Sequence, residues 1–480
     1  MSWDIAHPSS RLPGAPSPSA PRKGKGVGVA VALAVVLVCA ALGASWLLLR
    51  PTGGPQSGGA ESAQSPGGAV PSGEVPVSAS IPWALEGQVR GVRETITPSD
   101  SWMTGSRRPW TLDTPAGEGV PPRYATNGEV LITLHRSAAW TELMQGWDIR
   151  SGQARHLWSR ALDLGDTLRI QSDDAVWVGD TLFVDKHVIN GATGEAVVLS
   201  WLGTTPSSTQ RTLVVGPDRT LVACARAGNE CQARDSEGNL LWKKSIGLRS
   251  KAEVRGTATL DGEQWIWLQQ DNGKSSFVNT ATGAVNTLDV GNGGICPEIG
   301  VADGWLVACG GGSQMTAFAA DGGGREDFDA SYWPISTRSS KECSDATVPI
   351  WGPSPTLDQA IAFYRDGDTS ATAGTLTALD CDHLEYRAPG TGGAISIDIT
   401  DDPSHKAFTI GDFGKELQRQ LAVSEGRQVL AIGNSMLIDL ASGQLMDLVG
   451  AGSPQNPRLV APGLVIAAED SGICGAVPRD

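Results

Sequence analysis

The apolar residues of this 480-residue chain recur mostly in short alternating runs that end at glycine-containing turns. Around Gly238, one run ends at Asp235 and a second begins at Leu240, so the two runs flank the glycine. Alternation with a period of two predicts a strand with one buried face, and glycine reaches the positive φ of a tight turn without steric cost. The pattern therefore predicts antiparallel β-hairpins along most of the chain.

The hairpins repeat at a nearly constant interval. Predicted turns lie at Gly152, Gly194, Gly238, Gly283, 321–323, 379–382 and Gly443. The first three intervals are 42, 44 and 45 residues, and a repeat of ~40–45 residues with four strands per unit is typical of β-propeller blades. We therefore predict an all-β protein, a propeller of seven or eight four-stranded antiparallel blades, closed by outer strands from residues 82–96.

The repeat carries a family resemblance. Asp235, Gly238 and Trp242 form an Asp-x-x-Gly-x-x-x-Trp motif, and Thr-Gly pairs stand at 193–194 and 282–283. These motifs resemble the repeat of quinoprotein-like (PQQ-like) β-propellers, over about residues 130–475. The tryptophan follows only Gly238; the equivalent positions after four other turn glycines are His156, Val198, Thr287 and Asp447. The resemblance implies a propeller fold and says little about function.

Quinone-dependent dehydrogenases of that family imply an enzyme hypothesis. They use a disulfide between adjacent cysteines, a calcium or lanthanide ion held by acidic residues, and an aspartate base. No two of the eight cysteines of this chain are adjacent. No catalytic residue, metal ligand or cofactor site is therefore transferred to this sequence, and the dehydrogenase remains an alternative.

Residues 27–49 form an uncharged run of 23 residues, mostly Val, Ala and Leu. At ~1.5 Å per residue, a helix of this length spans a ~30 Å hydrocarbon core. Because Arg22, Lys23 and Lys25 precede the run, the N-terminus is predicted to stay cytoplasmic and the C-terminal body to lie outside the membrane. A cleaved signal peptide is the alternative, but its apolar region is normally ~7–15 residues long.

The segments around this predicted transmembrane helix differ in composition. Residues 1–26 are rich in Pro, Ser, Gly and Ala, which predicts a disordered cytoplasmic tail. Residues 50–80 have a similar composition and predict a flexible linker. Residues 81–480 then form the propeller domain, so we predict a single-pass cell-membrane protein with an extracytoplasmic body.

The formal net charge of the chain is −15, and an acidic body repels phosphate backbones, which argues against nucleic acid as a partner. Abundant alanine and glycine with scarce lysine predict a protein of a GC-rich, thick-walled, actinobacterial cell. An extracytoplasmic body in such a cell predicts an envelope protein or a cell-wall component as partner. The oligomeric state stays open.

Seven of the eight cysteines follow the predicted membrane helix, in a compartment that permits disulfides. Cys224 and Cys231 flank a predicted strand-turn-strand, and Cys296 and Cys309 flank a longer one, so each pair is a predicted bridge. The pairing of the other three cysteines stays open.

The longest intervals between hairpins, 324–378 and 384–438, predict the largest loops of the propeller. Loops on a rigid scaffold can vary while the sheets hold their position, so we expect a partner-binding surface there. The candidate contact residues are Arg338, Lys341, Arg365, Asp366, Asp368, Asp401, Asp402 and His405. Residues 365–370 resemble the start of a calcium loop but lack its later oxygen donors, which favours a polar turn.

Trp265 and Trp267 flank Ile266 and share one face of a predicted strand. We predict that they pack between blades; a stacking platform for a sugar or peptide is the alternative. The sequence has no metal-spaced histidines and no nucleophile motif. It therefore predicts a non-catalytic binding or scaffold protein without cofactor. A quinoprotein-like dehydrogenase, and a ligand-sensing ectodomain that acts through a membrane partner, are the alternatives.

Overall fold

The computed structural model divides the body of the chain into eight sheets among the described residues, each built on four antiparallel strands. Six of the sheets have these four strands alone, and the other two have five and six strands. The described residues are 72–91, 95–113, 123–136, 142–163, 175–202, 211–225, 229–247, 252–270, 274–289, 298–308, 314–332, 346–380, 383–390, 393–400, 421–433, 435–448, 455–469 and 472–479. The prediction of an all-β propeller is confirmed, with eight blades.

Four strands precede the first blade. They are β1 (Ser72–Glu74), β2 (Val77–Ser78), β3 (Val89–Gly91) and β4 (Ser106–Asp113). A short 3₁₀ helix, Asp100–Thr104, lies between β3 and β4. Each of the four strands joins a blade that later residues build.

Blades 1 to 4 each take four consecutive strands, numbered here in chain order. Their strands are β5 (Arg123–Thr126), β6 (Val130–Arg136), β7 (Glu142–Asp148) and β8 (Arg155–Asp163); β9 (Val176–Val178), β10 (Thr181–Val184), β11 (His187–Asn190) and β12 (Ala196–Leu199); β13 (Arg211–Val215), β14 (Leu221–Ala225), β15 (Glu230–Arg234) and β16 (Leu240–Ser245); β17 (Ala252–Leu260), β18 (Glu263–Gln270), β19 (Lys274–Asn279) and β20 (Val285–Asp289). Within each blade the strands pair in chain order.

Blades 5 to 7 follow the same rule, and blade 8 takes the last three strands of the chain. Their strands are β21 (Glu298–Gly300), β22 (Gly304–Ala308), β23 (Gln314–Ala319) and β24 (Glu326–Asp329); β25 (Thr347–Trp351), β26 (Thr372–Ala378), β27 (His383–Arg387) and β28 (Ala394–Asp398); β29 (Leu421–Val423), β30 (Val429–Ile432), β31 (Met436–Asp439) and β32 (Gln444–Leu445); β33 (Gln455–Ala461), β34 (Leu464–Glu469) and β35 (Gly472–Pro478). A helix, α1 (Leu357–Ile361), and a π-helical turn, Ala362–Asp366, lie between β25 and β26.

Neighbouring blades bury apolar side chains against each other. Trp267 of β18 and Trp305 of β22 pack edge to face with ring centroids 5.2 Å apart, and Phe277 stacks on Trp267. Blade 8 packs on blade 7 through Leu459 and on blade 1 through Ile466, so the contacts close a ring. First strands contact each other between blades 2 and 3, blades 4 and 5, and blades 6 and 7, as expected of the inner strands of a propeller. The packing role predicted for Trp267 is confirmed.

Two tryptophans fasten one blade to a turn of the next. The indole Nε1 of Trp158 in β8 donates to the carbonyl of Gly191 at 2.7 Å, and that of Trp242 in β16 donates to the carbonyl of Thr280 at 3.0 Å. A Cβ atom at Gly194 would lie 2.5 Å from the Trp158 ring, so this turn has no room for a side chain. Trp158 follows its turn glycine, Gly152, by six residues, whereas Trp242 follows Gly238 by four, so a motif with four-residue spacing matches only Trp242.

In blade 8, no direct chain connection joins the third strand to the fourth. Strand β4, from before blade 1, is the fourth strand of blade 8 and pairs antiparallel with β35 at the C-terminus. The prediction that residues 82–96 supply the closing strand is therefore wrong. A closing strand must add apolar side chains to the core, and β4 does so with Trp110 and Leu112, which are buried.

A segment before β4 crosses one end of the blades. Antiparallel pairing brings the connection between strands one and two and that between strands three and four to the same end, which we call the turn face. We call residues 79–91 and 95–105 the strap, because they lie on this face. The strap begins at blade 3, where the Ile81 amide donates to the carbonyl of Ser236 at 3.0 Å.

The middle of the strap contacts blades 2 and 1. The Gly179 amide, in the first turn of blade 2, donates to the carbonyl of Gln88 at 2.9 Å. Nη1 of Arg90 donates to the carbonyl of Asn127, in the first turn of blade 1, at 2.7 Å. Strand β3 also pairs with β9 here, at the inner edge of blade 2.

The end of the strap contacts blades 8 and 7. The Ser99 amide donates to the carbonyl of Pro462 in blade 8 at 2.8 Å. The carboxylate of Asp100 accepts the hydroxyl of Ser424 and, at 2.7 Å, the amide of Gly426, both in blade 7. The Ser424 hydroxyl lowers the pKa of Asp100. The strap thus ties blades 3, 2, 1, 8 and 7, in that order.

Strands β1 and β2 extend the outer edges of blades 1 and 2, where they run parallel to β8 and β12. Both strands lie within residues 50–80, which composition predicts to be a flexible linker. The predicted linker boundary is therefore corrected, and the sheets begin at Ser72. Backbone hydrogen bonds to an exposed strand edge need no apolar side chains, so composition did not reveal these strands.

The predicted cytoplasmic tail at 1–26, the transmembrane helix at 27–49 and the linker up to residue 71 lie outside the described residues. In the part of the chain that the structure describes, no helix has the length and apolar character needed to cross a membrane. The membrane topology therefore stays a prediction.

Two buried histidines predict a loss of stability in acid. Burial lowers the pKa of His135 and of His187 from 6.5 to about 4. Each histidine therefore binds a proton more readily when unfolded, so stability is complete above pH 6.5 and falls as the pH drops towards 4. At pH 5 we expect the free energy of unfolding to be about 2 kcal/mol lower per histidine than at pH 7.

Urea unfolding of the purified chain at both pH values measures this difference. His187→Leu removes one titrating group, so this variant should lose less stability between pH 7 and pH 5 than the parent chain does. Equal stability of the parent chain at the two pH values would contradict the prediction.

Candidate binding surfaces

Part of the predicted loop surface lies beside α1. The helix begins after a capping box, in which the Thr356 hydroxyl accepts the Gln359 amide and the Gln359 side chain accepts the Thr356 amide. Ala360 and Ile361 are buried against blade 5. The helix and the π-helical turn therefore hold residues 365–370 near β24, the fourth strand of blade 5.

Arg365 is engaged in ion pairs at this position. Its guanidinium lies 3.1 Å from Glu326 and 3.1 Å from Asp366, and the hydrogen bond to Asp366 raises the pKa of the arginine. Asp368 accepts the Ser370 amide at 2.8 Å, which lowers the pKa of Asp368. These contacts form a polar turn, and no group of side chains able to hold a metal ion occurs among the described residues.

The other loop candidates lie outside the described residues: Arg338, Lys341, Asp401, Asp402 and His405. Arg338 and Lys341 belong to the connection that leads into β25, whereas residues 365–370 follow the end of β25. The two segments therefore attach to opposite ends of that strand. The partner-binding role of these residues stays a prediction.

One predicted disulfide is present. Cys224 in β14 and Cys231 in β15 are directly paired residues, their sulfurs are bonded, and their Cα atoms lie 4.2 Å apart. The bridge joins the second and third strands of blade 3 beside their connection. Cys296 and Cys309 lie outside the described residues, so their pairing stays a prediction.

A cavity of about 320 Å³ lies under the middle of the strap. Arg90 and Ile96 of the strap line one side, and Tyr124, Trp177 and Arg458 line the other. Burial raises the pKa of Tyr124 to about 12, so its phenol stays protonated near neutral pH.

An exposed apolar surface lies at the outer rim, where blades 2 and 3 meet. Val77 of β2 is 63% exposed, and Leu240 and Leu241 of β16 are 51% and 49% exposed. The segment after β2 touches the turn before β16, since a Cβ atom at Gly238 would lie only 2.0 Å from the carbonyl oxygen of Ala79. We call Val77, Leu240 and Leu241 the corner patch.

A β-bulge exposes both leucines. Ala233 of β15 pairs with Trp242, but the next residue, Arg234, pairs with Leu240, so Leu241 is the extra residue of the bulge. Trp242 then turns towards blade 4, and its two predecessors remain at the surface.

The corner patch stands beside an unpaired strand edge. Strand β16 pairs with β15 and with no further strand among the described residues, whereas the outer strands of blades 1 and 2 carry β1 and β2. Lys243 contacts Glu230 at 2.9 Å, and Lys244 is exposed, so charged groups border the leucines. The edge therefore offers backbone donors and acceptors next to apolar side chains.

Sequence reasoning missed this surface. Leu240 and Leu241 lie in the motif that defined the repeat, where apolar residues indicate a core strand. Two adjacent apolar residues in a regular strand face opposite sides, so the sequence predicts one buried leucine. No pattern in the sequence predicts the bulge that exposes both leucines.

Comparison with known proteins finds loose structural similarity. No protein-family profile and no curated protein sequence matches the chain. BamB from Moraxella catarrhalis shares 11% identity at a TM-score of 0.37 and covers 78% of this chain and 98% of its own. The virginiamycin B lyase from Staphylococcus aureus shares 10% identity at a TM-score of 0.34 and covers 78% and 99%.

A third similar structure is the WD40 domain of SCAP from fission yeast, with 10% identity, a TM-score of 0.38 and coverage of 77% and 97%. At such low scores the similarities carry no argument about activity or partners. The order of the strands in the eight sheets establishes the fold on its own.

The disulfide between Cys224 and Cys231 should contribute measurably to the stability of the folded chain. Replacing Cys224 and Cys231 together by serine should lower the free energy of unfolding by about 2–3 kcal/mol, because the bridge restricts the unfolded chain. Urea unfolding of the oxidised chain and the double variant measures the difference. Peptide mapping without reductant should recover the two cysteines linked; free thiols at both positions would contradict the prediction.

Proposed function

We propose that the chain is a non-catalytic binding scaffold that holds a partner protein at the corner patch. The observation that supports this most is the exposure of Val77, Leu240 and Leu241 beside an unpaired strand edge. Contiguous apolar patches with a polar rim are typical of protein-binding surfaces.

Strand addition is the proposed mode of binding. The chain itself adds β1 to blade 1 and β2 to blade 2, in both cases parallel to the outer strand. An extended segment of the partner adds to β16 in the same way. Backbone hydrogen bonds between the partner and β16 supply affinity. Contacts between apolar side chains of the partner and the side chains of Leu240 and Leu241 supply selectivity. Lysines on a free edge disfavour indiscriminate pairing, so Lys243 and Lys244 narrow the choice of partner.

We place this scaffold on the outer side of a bacterial cell membrane, with an envelope protein or a cell-wall component as its partner. The support is the apolar run at 27–49, with basic residues before it. If residues 50–71 form the flexible linker that their composition predicts, its end-to-end distance is on the order of 25 Å. The body then binds partners close to the membrane.

Capture of the partner should depend on the corner patch. Leu240→Ser combined with Leu241→Ser should lower the yield of crosslinked partner by about 10-fold or more, because both apolar contacts are lost. Crosslinking in cells that naturally produce the chain, followed by quantitative mass spectrometry, measures the yield. Leu379→Ser is the matched control, since Leu379 is also half exposed but lies in blade 6.

Two results would contradict the proposed function. One is a set of crosslinked proteins whose yields are the same for the double variant and for the control. The other is alcohol oxidation by the purified chain after addition of pyrroloquinoline quinone and calcium, which would support the dehydrogenase instead.

The proposed location predicts protease sensitivity from outside the cell. Protease added to intact spheroplasts should remove the propeller and leave a membrane-bound N-terminal fragment, because the body follows the membrane helix on the outer side. Immunoblots against each end of the chain measure both products. A body that resists the protease, or one that accumulates free in the culture medium, would refute the proposed topology.

A further inference from the structure

The cavity under the middle of the strap, which we call the strap cavity, has a volume of about 320 Å³. Its lining consists of residues 90–91 and 95–96 of the strap, 124–129 of blade 1, Trp177 of blade 2 and 458–462 of blade 8. Blades 1 and 8 are close together here, since a Cβ atom at Gly128 would lie 2.4 Å from the carbonyl oxygen of Val460. The strap thus covers a space whose walls come from three blades.

Hydrogen bonds hold the walls of the strap cavity in place. Nδ2 of Asn127 donates to the carbonyl of Gly179 in blade 2 at 2.7 Å, and Oδ1 of Asn127 accepts the Val130 amide at 2.7 Å. On the blade 8 side, the carbonyl of Pro462 accepts Nε1 of Trp102 from the end of the strap at 2.9 Å. The cavity is therefore a formed site.

The wall of the strap cavity carries a positive charge that no described carboxylate neutralises. Nη1 of Arg90 donates to the carbonyl of Asn127 at 2.7 Å, and Nη2 lies 3.5 Å from Oε1 of Gln88. Both acceptors are neutral, and no carboxylate of the described residues lies within ion-pair distance of this guanidinium. Glu129 also lines the cavity, but its carboxylate lies 3.0 Å from Arg150. Arg458 has an interaction partner of its own, so the uncompensated charge is that of Arg90.

A buried donor without an acceptor lines the same cavity. Trp177 is only 1% exposed, and its Nε1 has no hydrogen-bond partner among the described residues. A buried N–H group of this kind costs free energy unless something accepts its hydrogen bond. Cζ3 of the indole lies 3.4 Å from where a Cβ atom at Gly191 would stand, and Nε1 is on the opposite edge of the ring. Because Gly191 is not part of the lining, the Nε1 edge is the one turned towards the cavity.

The two donors stand side by side. Arg90 of β3 and Trp177 of β9 are directly paired residues. Side chains of directly paired residues leave the same face of a sheet, with Cβ atoms about 5 Å apart. A guanidinium has five N–H groups, so Arg90 keeps donors beyond its two present contacts. A carboxylate has two oxygens and accepts charge-assisted hydrogen bonds from both kinds of N–H group.

The size and the remaining lining define the rest of the ligand. A volume of about 320 Å³ lies at the lower end of the range of small-molecule sites. Ile96, Val460 and Pro462 supply apolar surface. A polyphosphate would need more positive charge than one uncompensated guanidinium supplies, and an inorganic anion would leave the apolar surface without contacts. The lining therefore favours a small organic acid with one negative charge.

We propose that the strap cavity binds a small organic monocarboxylate. The carboxylate contacts the guanidinium of Arg90 and Nε1 of Trp177, and the apolar part of the ligand packs against Ile96 and Val460. The ligand then contacts the strap, blade 2 and blade 8 at once, so its binding also holds the strap on the turn face. The corner patch on blades 2 and 3 takes no part, so this inference does not depend on the proposed function.

Ligand-observed NMR with the purified chain tests the proposal. The probes are butyrate, benzoate and phenylacetate, each compared with its neutral amide. At least one of the three acids should bind saturably, with an affinity about 10-fold or more above that of its amide, because the contact with the guanidinium depends on the charge. Hydrogen exchange should then slow on binding at residues 88–91 of the strap and 458–462 of blade 8.

Two variants test the proposed contacts. Arg90→Gln should weaken binding of the acid by about 10-fold or more, because the charge-assisted contact is lost. Trp177→Phe keeps an aromatic ring but removes the Nε1 donor, and should weaken binding by about five-fold. Arg219→Gln is the matched control and should bind like the parent chain. Arg219 also donates to a carbonyl of the strap, that of Gly87, but lies outside the lining of the cavity.

Any of four results would overturn the proposal. They are no binding of any of the three acids, equal binding of acid and amide, unchanged affinity in Arg90→Gln, and displacement of the acid by inorganic phosphate at an equal concentration. Equal losses in Arg90→Gln and Arg219→Gln would also overturn it, because binding would then depend on docking of the strap and not on the charge in the cavity. If Arg90→Gln does not fold, Trp177→Phe decides, and unchanged affinity in that variant contradicts the proposal.

Discussion

The pairing of β4 with β35 is the contact on which the rest of the ring depends. Without β4, blade 8 would keep three strands, and the edge of β35 would face solvent although Ile473 and Ala476 are core residues. An open edge of that kind is a template for pairing with other chains. Because residues 114–471 separate the two strands, this contact bears the entropic cost of closing a long loop, which the contacts of blade 8 with blade 1 and with the strap share.

The strap reinforces this closure, and because it covers part of the turn face it determines which surfaces stay exposed. It crosses the turn face at blades 3, 2, 1, 8 and 7. On the turn face of blades 5 and 6, the segment around α1 also covers part of the surface. The Leu357 amide donates to the carboxylate of Asp303 in blade 5 at 2.6 Å. Much of the turn face is thus covered by the chain itself. The corner patch lies at the outer rim, beside the end of the strap that contacts blade 3.

The sequence predicted what depends on local periodicity, and failed where distant segments meet. Hairpin spacing predicted the propeller, and the spacing of Cys224 and Cys231 predicted a bridge that the structure contains. The closing strand was misplaced, because residues 82–96 are also partly apolar and pairing between chain ends leaves no local pattern. For the same reason, nothing in the sequence connects Arg90 with Trp177. These two residues become neighbours only once the strap pairs with blade 2.

Hydrogen exchange of the purified chain tests this account of closure most directly. If β4 and β35 open as one unit, amides in 106–113 and in 472–478 should exchange at similar, slow rates, comparable with those of β18 and β19 in the middle of the ring. Fast exchange of 106–113 beside protected amides in 472–478 would contradict the account, because β4 would then not be the strand that closes the ring.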